Sequence, residues 1–566
     1  MKRIIFFVGV ATFLFSACSG AEAANLGETL KFNVEPTYDI SARKEITATL
    51  IKITPQVYFY IEKNWWDSQV LAKQNEISQN LNILSQEFEN KIYPTLTTVF
   101  GSEWTPGIDG DPKITLFFHL MREDIGGYFR SADEYLKFQS PESNEREMLF
   151  LPIAQIDNSQ LKVFLAHEFV HLIAFNQKER NFDVSEEVWL NEARAEYAPT
   201  LLGYDDIYQN SNLQRKVEIF LEKPDDSITE WQNKKADYGA LNLFIHYLAD
   251  HYGIDILASS LKSKLIGVLS LNEALKKNGF KEDFSQIFTN WTIAVFLNDC
   301  SLGQKYCYLN KNLNNLRLNP SINFLPQSGK SSLSVTDVTK NWAGNWQKFI
   351  GGNSTLKLEF RSLAGLNFKV PYLVQDKDGK SVLNFLTLDE NQKGEITISD
   401  FGTKNRALVI IPSLQTKISG FDGVEPTYPF TFTVSIIESS QDEEALISQL
   451  LLQIDFLKKE IAKVQAQIDA ILASRVVSCR RIDSNLYPGL KGNSEVRCLQ
   501  EFLKSQGSRV YPEGLVTGNF GNLTRAAVIR FQEKYPIDIL MPLGLSAGNG
   551  IVGFETRAKI NQLLGG

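Results

Sequence analysis

The amino-acid sequence predicts a multidomain protein that joins an α+β domain, an all-β sandwich, a coiled-coil helix and a small helical domain. Three observations carry this prediction. Strand patterns precede helical patterns in the first part of the chain, a second set of short strands follows, and a heptad pattern then separates both from the C-terminus. The length of 566 residues and the 43% hydrophobic content suffice for several packed cores.

Residues 1–24 have the features of a secretory signal peptide. A basic start precedes an apolar run from Ile4 to Phe15 that is too short to span a bilayer, and small residues follow. The segment "FSAC" resembles a bacterial lipobox and favours lipidation of Cys18, which would attach the protein to a membrane through a lipid anchor only. The alternative is cleavage after "AEA", before Ala24, which would release a secreted protein. Both outcomes predict an exported protein.

Residues 25–320 predict the α+β domain. The segments 28–62, 113–120 and 147–153 alternate in polarity or are continuously apolar, as strands are. From Gln160 onward, apolar residues recur every three or four positions, as they do in helices. Strands first and helices second are typical of an α+β domain.

Residues 321–440 predict an antiparallel β-sandwich. Short alternating segments such as "STLKLEF" and "FTFTVSII" are separated by turn signals. The stretch 319–334, rich in Pro, Gly and Ser, marks the boundary with the preceding domain. Because residues 335–439 contain no histidine and no cysteine, we expect a structural or substrate-facing module.

Residues 441–475 predict a coiled coil. Its apolar seam, with isoleucine at every a position, consists of Ile447, Leu450, Ile454, Leu457, Ile461, Val464, Ile468 and Ile471. Isoleucine at a and leucine at the first two d positions favour a parallel pair of helices, so a homodimer through this helix is a candidate assembly. The alternative is a single amphipathic helix docked on its neighbour, because four heptads are barely long enough to dimerise alone.

Residues 476–566 contain a short internal repeat. The segments "GNFGNLTRA" and "GIVGFETRA" share two glycines and Thr-Arg-Ala at the same offsets, and each opens an apolar-periodic helix. Thr524 and Thr556 are placed to cap these helices or to lie in their first turns. The repeat therefore predicts two similar helix starts within one small domain.

The same region resembles the three-helix peptidoglycan-binding domain. The resemblance rests on "LKGNSEVRCLQEFL" and "GNFGNLTRAAVIRFQ" and covers about residues 480–566. It departs from the family pattern at the apolar insertion 536–550. The resemblance implies peptidoglycan, and hence the cell wall, as a partner.

Charge and cysteine content restrict the remaining choices. The net charge of -8 gives no general reason to expect a nucleic-acid partner, because binding of a polyanion needs a basic face. Apart from the predicted lipidation site, the cysteines form two pairs that are close in sequence: Cys300 with Cys307, and Cys479 with Cys498. Two local disulfides are expected in an exported protein, with four separate buried thiols as the alternative.

The segment "FLAHEFVHLIAF" carries two of the five histidines, with a glutamate beside the first. On a helix, His167 and His171 lie one turn apart on one face and can bind one tetrahedral cation. Glu168 is then placed to take a proton from a water molecule that the metal activates. A third ligand is needed before this pattern makes a metal site.

The segment "VWLNEARAEYA" offers that ligand. Glu192 follows His171 after twenty intervening residues and could close the site from the next helix. Glu196 is one turn further on the same face and could accept a hydrogen bond from a ligand imidazole. The alternative is a solvated helix face that happens to carry two glutamates. Together these side chains predict a site for one Zn²⁺ ion.

These motifs resemble those of the gluzincin metallopeptidases, in which Asn-Glu-x-x-x-(Asp/Glu) follows a His-Glu-x-x-His helix. The order of "KITLFF", "GGYFRSADEY", "SNEREMLF" and "WLNEARAEYA" is similar, more narrowly, to the hyicolysin-like neutral metallopeptidases. The resemblance implies a thermolysin-like zincin fold and a catalytic zinc ion held by His167, His171 and Glu192. It also implies that Glu168 is the general base and that Glu196 orients His167.

A peptidase of this kind also requires a donor that stabilises the oxyanion of its tetrahedral intermediate. The gluzincin resemblance assigns this role to a downstream tyrosine or histidine, and the candidates are Tyr238, His246 and His251. We expect Tyr238, because relatives carry Tyr-Gly at the start of the corresponding helix. We interpret the two histidines as packing or helix-surface residues, and His119 as a core or edge residue of its strand.

The sequence therefore predicts an exported zinc metalloendopeptidase that hydrolyses a protein or peptide substrate and is tethered to the cell wall by its C-terminal domain. Two alternatives stay open. One is a peptidoglycan endopeptidase that cuts cross-link peptides. The other is a catalytically inactive, wall-attached binding or adhesion protein, against which the complete set of predicted site residues argues.

Overall fold

The computed structural model describes residues 24–326, 331–421, 423–437, 443–474 and 479–565. Residues 1–23 of the predicted signal peptide, which include Cys18, lie outside these residues. The chain divides into two compact units, residues 1–446 and 447–566. The first contains several β-sheets and helices and the second is helical, so the prediction of a multidomain chain of mixed α and β structure is confirmed.

The first unit begins with a six-stranded mixed sheet. Its strands are β1 (Thr29–Asn33), β2 (Glu45–Ile53), β3 (Val57–Glu62), β4 (Ile114–His119), β5 (Tyr128–Phe129) and β6 (Met148–Pro152). The spatial order is β1-β2-β3-β4-β6-β5, with β3, β4 and β6 parallel and β5 as an antiparallel edge strand. Strands β4 and β6 are buried throughout, which explains their continuously apolar sequences.

Helices pack against one face of this sheet and extend beyond it. They are α1 (Lys63–Asp67), α2 (Leu71–Glu87), α3 (Tyr93–Phe100), α4 (Leu161–Ala174), α5 (Val188–Leu201), α6 (Asn212–Glu222), α7 (Lys235–Tyr252), α8 (Asp255–Leu261), α9 (Gly267–Lys277) and α10 (Phe284–Leu297). Single π-helical turns, Phe88–Ile92 and Phe175–Arg180, follow α2 and α4. Helix α4 is apolar on more than one side because it lies in the middle of the core.

A β module completes the first unit. Its strands are β7 (Ser321–Leu325), β8 (Ser331–Thr339), β9 (Gln347–Gly351), β10 (Thr355–Ser362), β11 (Phe368–Lys369), β12 (Pro371–Asp376), β13 (Ser381–Phe385), β14 (Lys393–Ile398), β15 (Asn405–Ile410), β16 (Ser413–Leu414) and β17 (Tyr428–Ile437). They form a four-stranded sheet (β14-β10-β17-β8), a five-stranded sheet (β13-β12-β15-β9-β7) and the pair β11-β16. The two larger sheets share one apolar core, to which Phe360 and Phe432 contribute from the first and Phe349 and Leu408 from the second.

The β module also contributes to the core of the helices. Trp342 and Trp346 are buried among the apolar residues of the first domain. The Trp346 indole donates to the carbonyl of Thr292 at 2.9 Å, and the carbonyl of Trp342 accepts from the Ile228 N–H at 3.0 Å. The helices and the β module therefore share packed surface instead of being joined by the chain alone.

The predicted coiled-coil segment forms a helix, α11 (Glu443–Ser474). Its 32 residues correspond to a length of about 48 Å. Within this chain several seam side chains are exposed, including Leu450 (44%), Ile454 (47%) and Ile461 (67%). Whether a second copy covers them stays a prediction. Within the described ranges, none of the helices combines the length and the apolar character that crossing a membrane requires.

The C-terminal module contains α12 (Ser494–Ser505), α13 (Asn522–Lys534) and α14 (Phe554–Leu564) around its own apolar core. In the structure, the two copies of its sequence repeat form equivalent sets of buried hydrogen bonds. The Gln500 side chain accepts from the Gly518 N–H at 2.8 Å and donates to the Thr524 hydroxyl at 2.8 Å. The second copy has the same contacts between these residues: Gln532, Gly550 and Thr556. The two threonines lie in the first helical turns, where each is held by a glutamine.

Both predicted disulfides are present. Cys300 is bonded to Cys307 in the loop that follows α10, and Cys479 is bonded to Cys498, which lies on α12. Each bridge lies within one compact unit. The alternative of four separate thiols is therefore wrong, and the pairing agrees with an oxidising compartment.

Candidate metal centre

Helices α4 and α5 pack against each other and bring together three candidate metal ligands. The Nε2 atoms of His167 and His171 are 3.2 Å apart. The Glu192 carboxylate lies 3.2 Å from His167 Nε2 and 3.7 Å from His171 Nε2. The pair of histidines comes from consecutive turns of α4, and the glutamate comes from the facing side of α5, as the motif spacing predicts.

The distances fit one small cation. Ligand atoms placed tetrahedrally around zinc, at about 2.0–2.1 Å from it, are roughly 3.3 Å apart. Glu192 Oε2 is buried, and apart from His167 Nε2 at 3.2 Å it has no hydrogen-bond partner among the described residues. In the described part of the chain, no other group of three histidine, cysteine or acidic side chains lies close enough to hold a metal ion. Two imidazoles and a carboxylate are a donor set that zinc commonly takes.

A second carboxylate, that of Glu196, contacts the His167 imidazole on its Nδ1 side. Glu196 Oε1 lies 3.5 Å from His167 Nδ1, on the side of the ring opposite Glu192. Glu196 also accepts from the Lys216 ammonium at 2.9 Å and from the Asn242 amide at 3.1 Å. Contacts from α6 and α7 thus fix the carboxylate, which in turn fixes the orientation and tautomer of the imidazole.

Glu168 lies between α4 and the edge strand β5. Its side chain is 7% exposed, and burial raises its pKa to about 7 against the lowering effect of His167. The backbone of Phe129 in β5 offers a hydrogen bond to the carboxylate. A Cβ atom at Gly127 would lie 3.0 Å from Glu168 Cγ, so the glycine lets the strand approach the helix this closely.

In the cluster of His167, His171 and Glu192, burial and neighbouring charges shift the pKa values in opposite directions. Burial would lower the pKa of His167, but the hydrogen bond and charge of Glu192, with other nearby carboxylates, raise it to about 9. Burial lowers the pKa of His171 to about 4. Burial acts to raise the pKa of Glu192, but His171 and His167 outweigh it and hold that pKa below its usual value. The His167 imidazole is therefore paired with the Glu192 carboxylate, and the His171 imidazole is neutral near pH 7.

Tyr238 lies in the first turn of α7, near the cluster. Its hydroxyl donates to the Asn233 side chain at 3.2 Å, and its ring packs against Trp231 and under the Lys216 ammonium. Burial, followed by the charges of Glu192, Glu196 and Glu168, raises the pKa of Tyr238. The hydroxyl thus keeps its proton and can donate a hydrogen bond.

The remaining three histidines lie apart from the cluster. His246 is fully buried and bonds the Thr200 hydroxyl and the Asn242 carbonyl, each at 2.8 Å. His251 bonds the Cys307 carbonyl at 2.9 Å. His119 is buried in β4, with Nε2 at 3.1 Å from the Tyr128 hydroxyl and Nδ1 near Asp39. These placements are those of packing residues.

Sequence reasoning missed two side chains of the site. Lys216 comes from α6 and carries no motif, although its place on the amphipathic face of a helix near the motif was a weak signal. Tyr38 lies in the loop after β1, and its ring centroid is 5.2 Å from that of Tyr128. Burial is the largest cause that raises the pKa of Tyr38, and the charges of Glu35, Glu168 and Glu192 raise it further. Nothing in the local sequence connects residues 38 and 168.

A Gly-Leu-Ser-Ala-Gly segment at residues 544–548 has the form of a serine-nucleophile motif. Ser546 is exposed in a loop of the C-terminal module and not at a turn from strand to helix. No histidine follows His251 in the sequence to serve as its base. The segment therefore supports no second catalytic site.

Comparisons with known proteins identify one part of the chain. Residues 492–560 match the family model described as "Putative peptidoglycan binding domain". No curated protein matches the chain. Among solved structures, the Aeromonas hydrophila periplasmic inhibitor of g-type lysozyme, PliG, is 9% identical, covers 21% of this chain and 100% of its own, and has a TM-score of 0.15.

Another match is the pre-peptidase C-terminal domain of a Bacillus anthracis collagenase, at 7% identity over 20% of this chain and 96% of its own, with a TM-score of 0.14. Scores this low carry no argument about fold or function. The family match lies within the module that contains both sequence repeats. The C-terminal module of this chain is therefore a peptidoglycan-binding domain, and it supports association with the cell wall.

Proposed function

We propose that the protein is an exported zinc-dependent endopeptidase, with a gluzincin-type active site on a zincin-like fold, held at the cell wall by its C-terminal domain. The observation that carries the proposal is the convergence of His167 Nε2, His171 Nε2 and the Glu192 carboxylate within 3.2–3.7 Å of one another. Glu168 lies beside them and next to an edge strand. Two imidazole nitrogens and a carboxylate at these separations are a donor set and a spacing that suit zinc.

The side chains divide the work of peptide hydrolysis. When bound, the zinc ion acts as a Lewis acid on the scissile carbonyl and makes water more acidic. Glu168, whose pKa is raised to about 7 by burial, accepts the proton of the attacking water and delivers it to the leaving amine. Glu196 holds His167 in orientation, and the Tyr238 hydroxyl stabilises the developing oxyanion.

The attachment to the wall follows from the rest of the chain. The peptidoglycan-binding domain supports the cell wall as the partner, and the helix α11 precedes this domain in the chain. Lipidation of Cys18 would add a membrane anchor, and cleavage before Ala24 would leave the wall as the site of retention. Two disulfides agree with export.

The test combines metal analysis with activity. Purified wild-type protein is expected to contain about one zinc ion per chain and to digest casein, whereas Glu168→Gln is expected to keep the zinc and lose at least roughly a hundredfold in rate. Glu222→Gln, an exposed glutamate on α6, serves as the matched control and should behave as wild type. Absence of zinc, or equal rates for Glu168→Gln and wild type, would contradict the proposal and favour an inactive binding protein.

Substrate class is tested in the same assay. The wall-binding domain favours a second candidate, a peptidoglycan endopeptidase that cuts cross-link peptides. Purified cell walls are offered beside casein, with release of free amino groups as the measurement. Digestion of walls but not of casein would identify peptidoglycan as the substrate class.

A further inference from the structure

The loop between α6 and α7, residues 223–234, lies against the β module within the first unit. Its middle part, residues 226–230, is buried throughout. Ser227 forms an antiparallel bridge with Ala343 of the β module, and the Ser227 hydroxyl donates to the carbonyl of Asn341 at 2.7 Å. The β module therefore holds the backbone of this α6–α7 loop as a neighbouring strand would.

A buried ion pair also joins the α6–α7 loop to the β module. Glu230 is 1% exposed, and its carboxylate is paired with the Lys340 ammonium. The same carboxylate accepts from the Glu425 N–H at 2.8 Å, and the Glu425 side chain is in turn paired with Lys417 at 2.6 Å. Because a buried charge that loses its partner is strongly destabilising, the pair with Lys340 fixes where Glu230 can lie.

The residues that follow this ion pair fold onto the first turn of α7 and hold Tyr238 from two sides. The Trp231 ring packs edge to face on the Tyr238 ring, with centroids 4.8 Å apart. The Asn233 side chain accepts from the Tyr238 hydroxyl at 3.2 Å. The Asp237 carboxylate accepts from two backbone N–H groups of the same turn, at 2.9 and 2.8 Å. The position of Tyr238 therefore depends on the end of the α6–α7 loop.

We propose that the β module is part of the active site because it positions Tyr238 through the α6–α7 loop, with Glu230 and Lys340 as positioning residues. This inference rests on the proposed function, in which the Tyr238 hydroxyl stabilises the oxyanion. Such a donor is effective only at hydrogen-bond distance from the developing charge. A displacement of about 1 Å can lower a rate by roughly a hundredfold. The β module then serves catalysis without contacting the substrate.

The metal ligands depend on other contacts. His167, His171 and Glu192 lie on α4 and α5, which pack against each other. The carboxylate that orients His167 is held by side chains of α6 and α7. The ion pair of Glu230 lies on the loop between these two helices. Breaking the ion pair should therefore displace Tyr238 and leave zinc binding unchanged.

The experiment compares Lys340→Met with Lys357→Met in the full chain. Lys357 is the matched control, because it forms its ion pairs within the four-stranded sheet of the β module. We expect kcat on a peptide substrate to fall about tenfold in Lys340→Met, with KM and zinc content unchanged, because the displaced donor acts on the transition state. Lys357→Met should behave as wild type. Lys340→Arg, which keeps the ion pair, should restore kcat.

A double substitution separates positioning from a general loss of structure. In Tyr238→Phe the hydroxyl is absent, so adding Lys340→Met should lower kcat further by less than about twofold. The same fold-decrease in both backgrounds, or loss of zinc in Lys340→Met, would overturn the proposal. Trp231→Leu should show the same fall in kcat and the same lack of additivity, and it replaces Lys340→Met in this cycle if that variant does not fold.

Hydrogen exchange gives a measurement that needs no peptidase activity. Peptides that cover residues 231–240 should exchange at least about fivefold faster in Lys340→Met than in wild type, because the turn before α7 opens more often. Lys357→Met should exchange as wild type does, and unchanged exchange in Lys340→Met would overturn the proposal. Absence of peptidase activity in wild type would contradict the proposed function, and exchange would still show whether the β module holds the loop.

Discussion

The first unit contains two largely buried clusters of titratable side chains that differ in exposure and in chemistry. The histidine cluster consists of His167, His171 and Glu192, and the acid pair consists of Glu134 and Glu147. In each cluster, a buried carboxylate oxygen has no hydrogen-bond partner outside the cluster among the described residues. Side chains of the histidine cluster are 11–16% exposed, whereas Glu134 and Glu147 are 2% exposed.

The difference lies in what each cluster can bind. Two imidazoles supply neutral nitrogen ligands, so the histidine cluster can hold a divalent cation and still be reached by solvent and substrate. The acid pair offers carboxylates alone, and burial followed by the neighbouring carboxylate raises the pKa of Glu134 well above its usual value. Burial also raises the pKa of Glu147 to about 7. The acid pair therefore takes up protons. An unpartnered buried oxygen indicates a binding site only when the donor set and the access agree.

Removing a metal ligand should have the largest effect. Glu192→Gln is expected to lose the bound zinc and to leave less than roughly a thousandth of the peptidase rate, because metal affinity and catalysis depend on the same carboxylate. The measurement is metal content after dialysis, with the rate on a peptide substrate. Glu134→Gln is the matched control from the acid pair and should retain its zinc. Equal zinc loss in both variants would break the distinction between the two clusters.

Removal of the proposed oxyanion donor is expected to be nearly as severe. Tyr238→Phe keeps the ring that packs on Trp231 and removes only the hydroxyl. We expect kcat to fall about 10²–10³-fold with little change in KM or zinc content, because the donor acts on the transition state. If kcat is unchanged in Tyr238→Phe, the role belongs to another group, and Tyr38→Phe is then the variant to measure.

The group that orients His167 should contribute less. Glu196→Gln is expected to weaken zinc binding about 10–100-fold, since the amide accepts a weaker hydrogen bond from the imidazole. Competition with a chelator measures the affinity. Lys216→Met, which removes the ammonium partner of Glu196, should have a smaller effect in the same direction. A larger effect for Lys216→Met than for Glu196→Gln would show that the lysine contacts the substrate or the metal site directly.

The histidine cluster could be predicted from the sequence because its geometry is local. Helical periodicity alone places His167 above His171 and Glu192 one turn from Glu196. The contacts of Lys216 and Tyr38 depend on how α6 and the first loop pack, which local patterns do not encode. Local patterns also decided how much of the fold could be predicted. Long buried strands and the heptad helix were predictable, but the two-residue edge strand β5 was too short to give a pattern.

The acid pair was missed for the same reason. Glu134 and Glu147 are separated in sequence by a polar loop, and each reads as a surface residue there. The N–H of Ile108, which is 39 residues away in sequence, donates to the Glu147 carboxylate at 2.8 Å and stabilises its buried position. Tertiary contacts of this kind override the usual preference of charged residues for the surface.

A substitution in the acid pair should have the smallest effect, which is on the pH dependence of stability. The direction of the pKa shifts of the two carboxyls fixes the sign of this effect. A carboxyl whose pKa is raised on folding adds stability below its unfolded pKa near 4.5, and that stability is lost as pH rises through about 7. Glu134→Gln supplies a permanent amide donor to Glu147, so the loss of stability between pH 5 and pH 7.5 should shrink by on the order of 1–2 kcal/mol relative to wild type. All eight tryptophans lie in the first unit, so tryptophan fluorescence in urea reports this unit alone. Identical pH dependence in the two proteins would mean that the pair holds something other than a proton, and the contrast with the histidine cluster would then have to be redrawn.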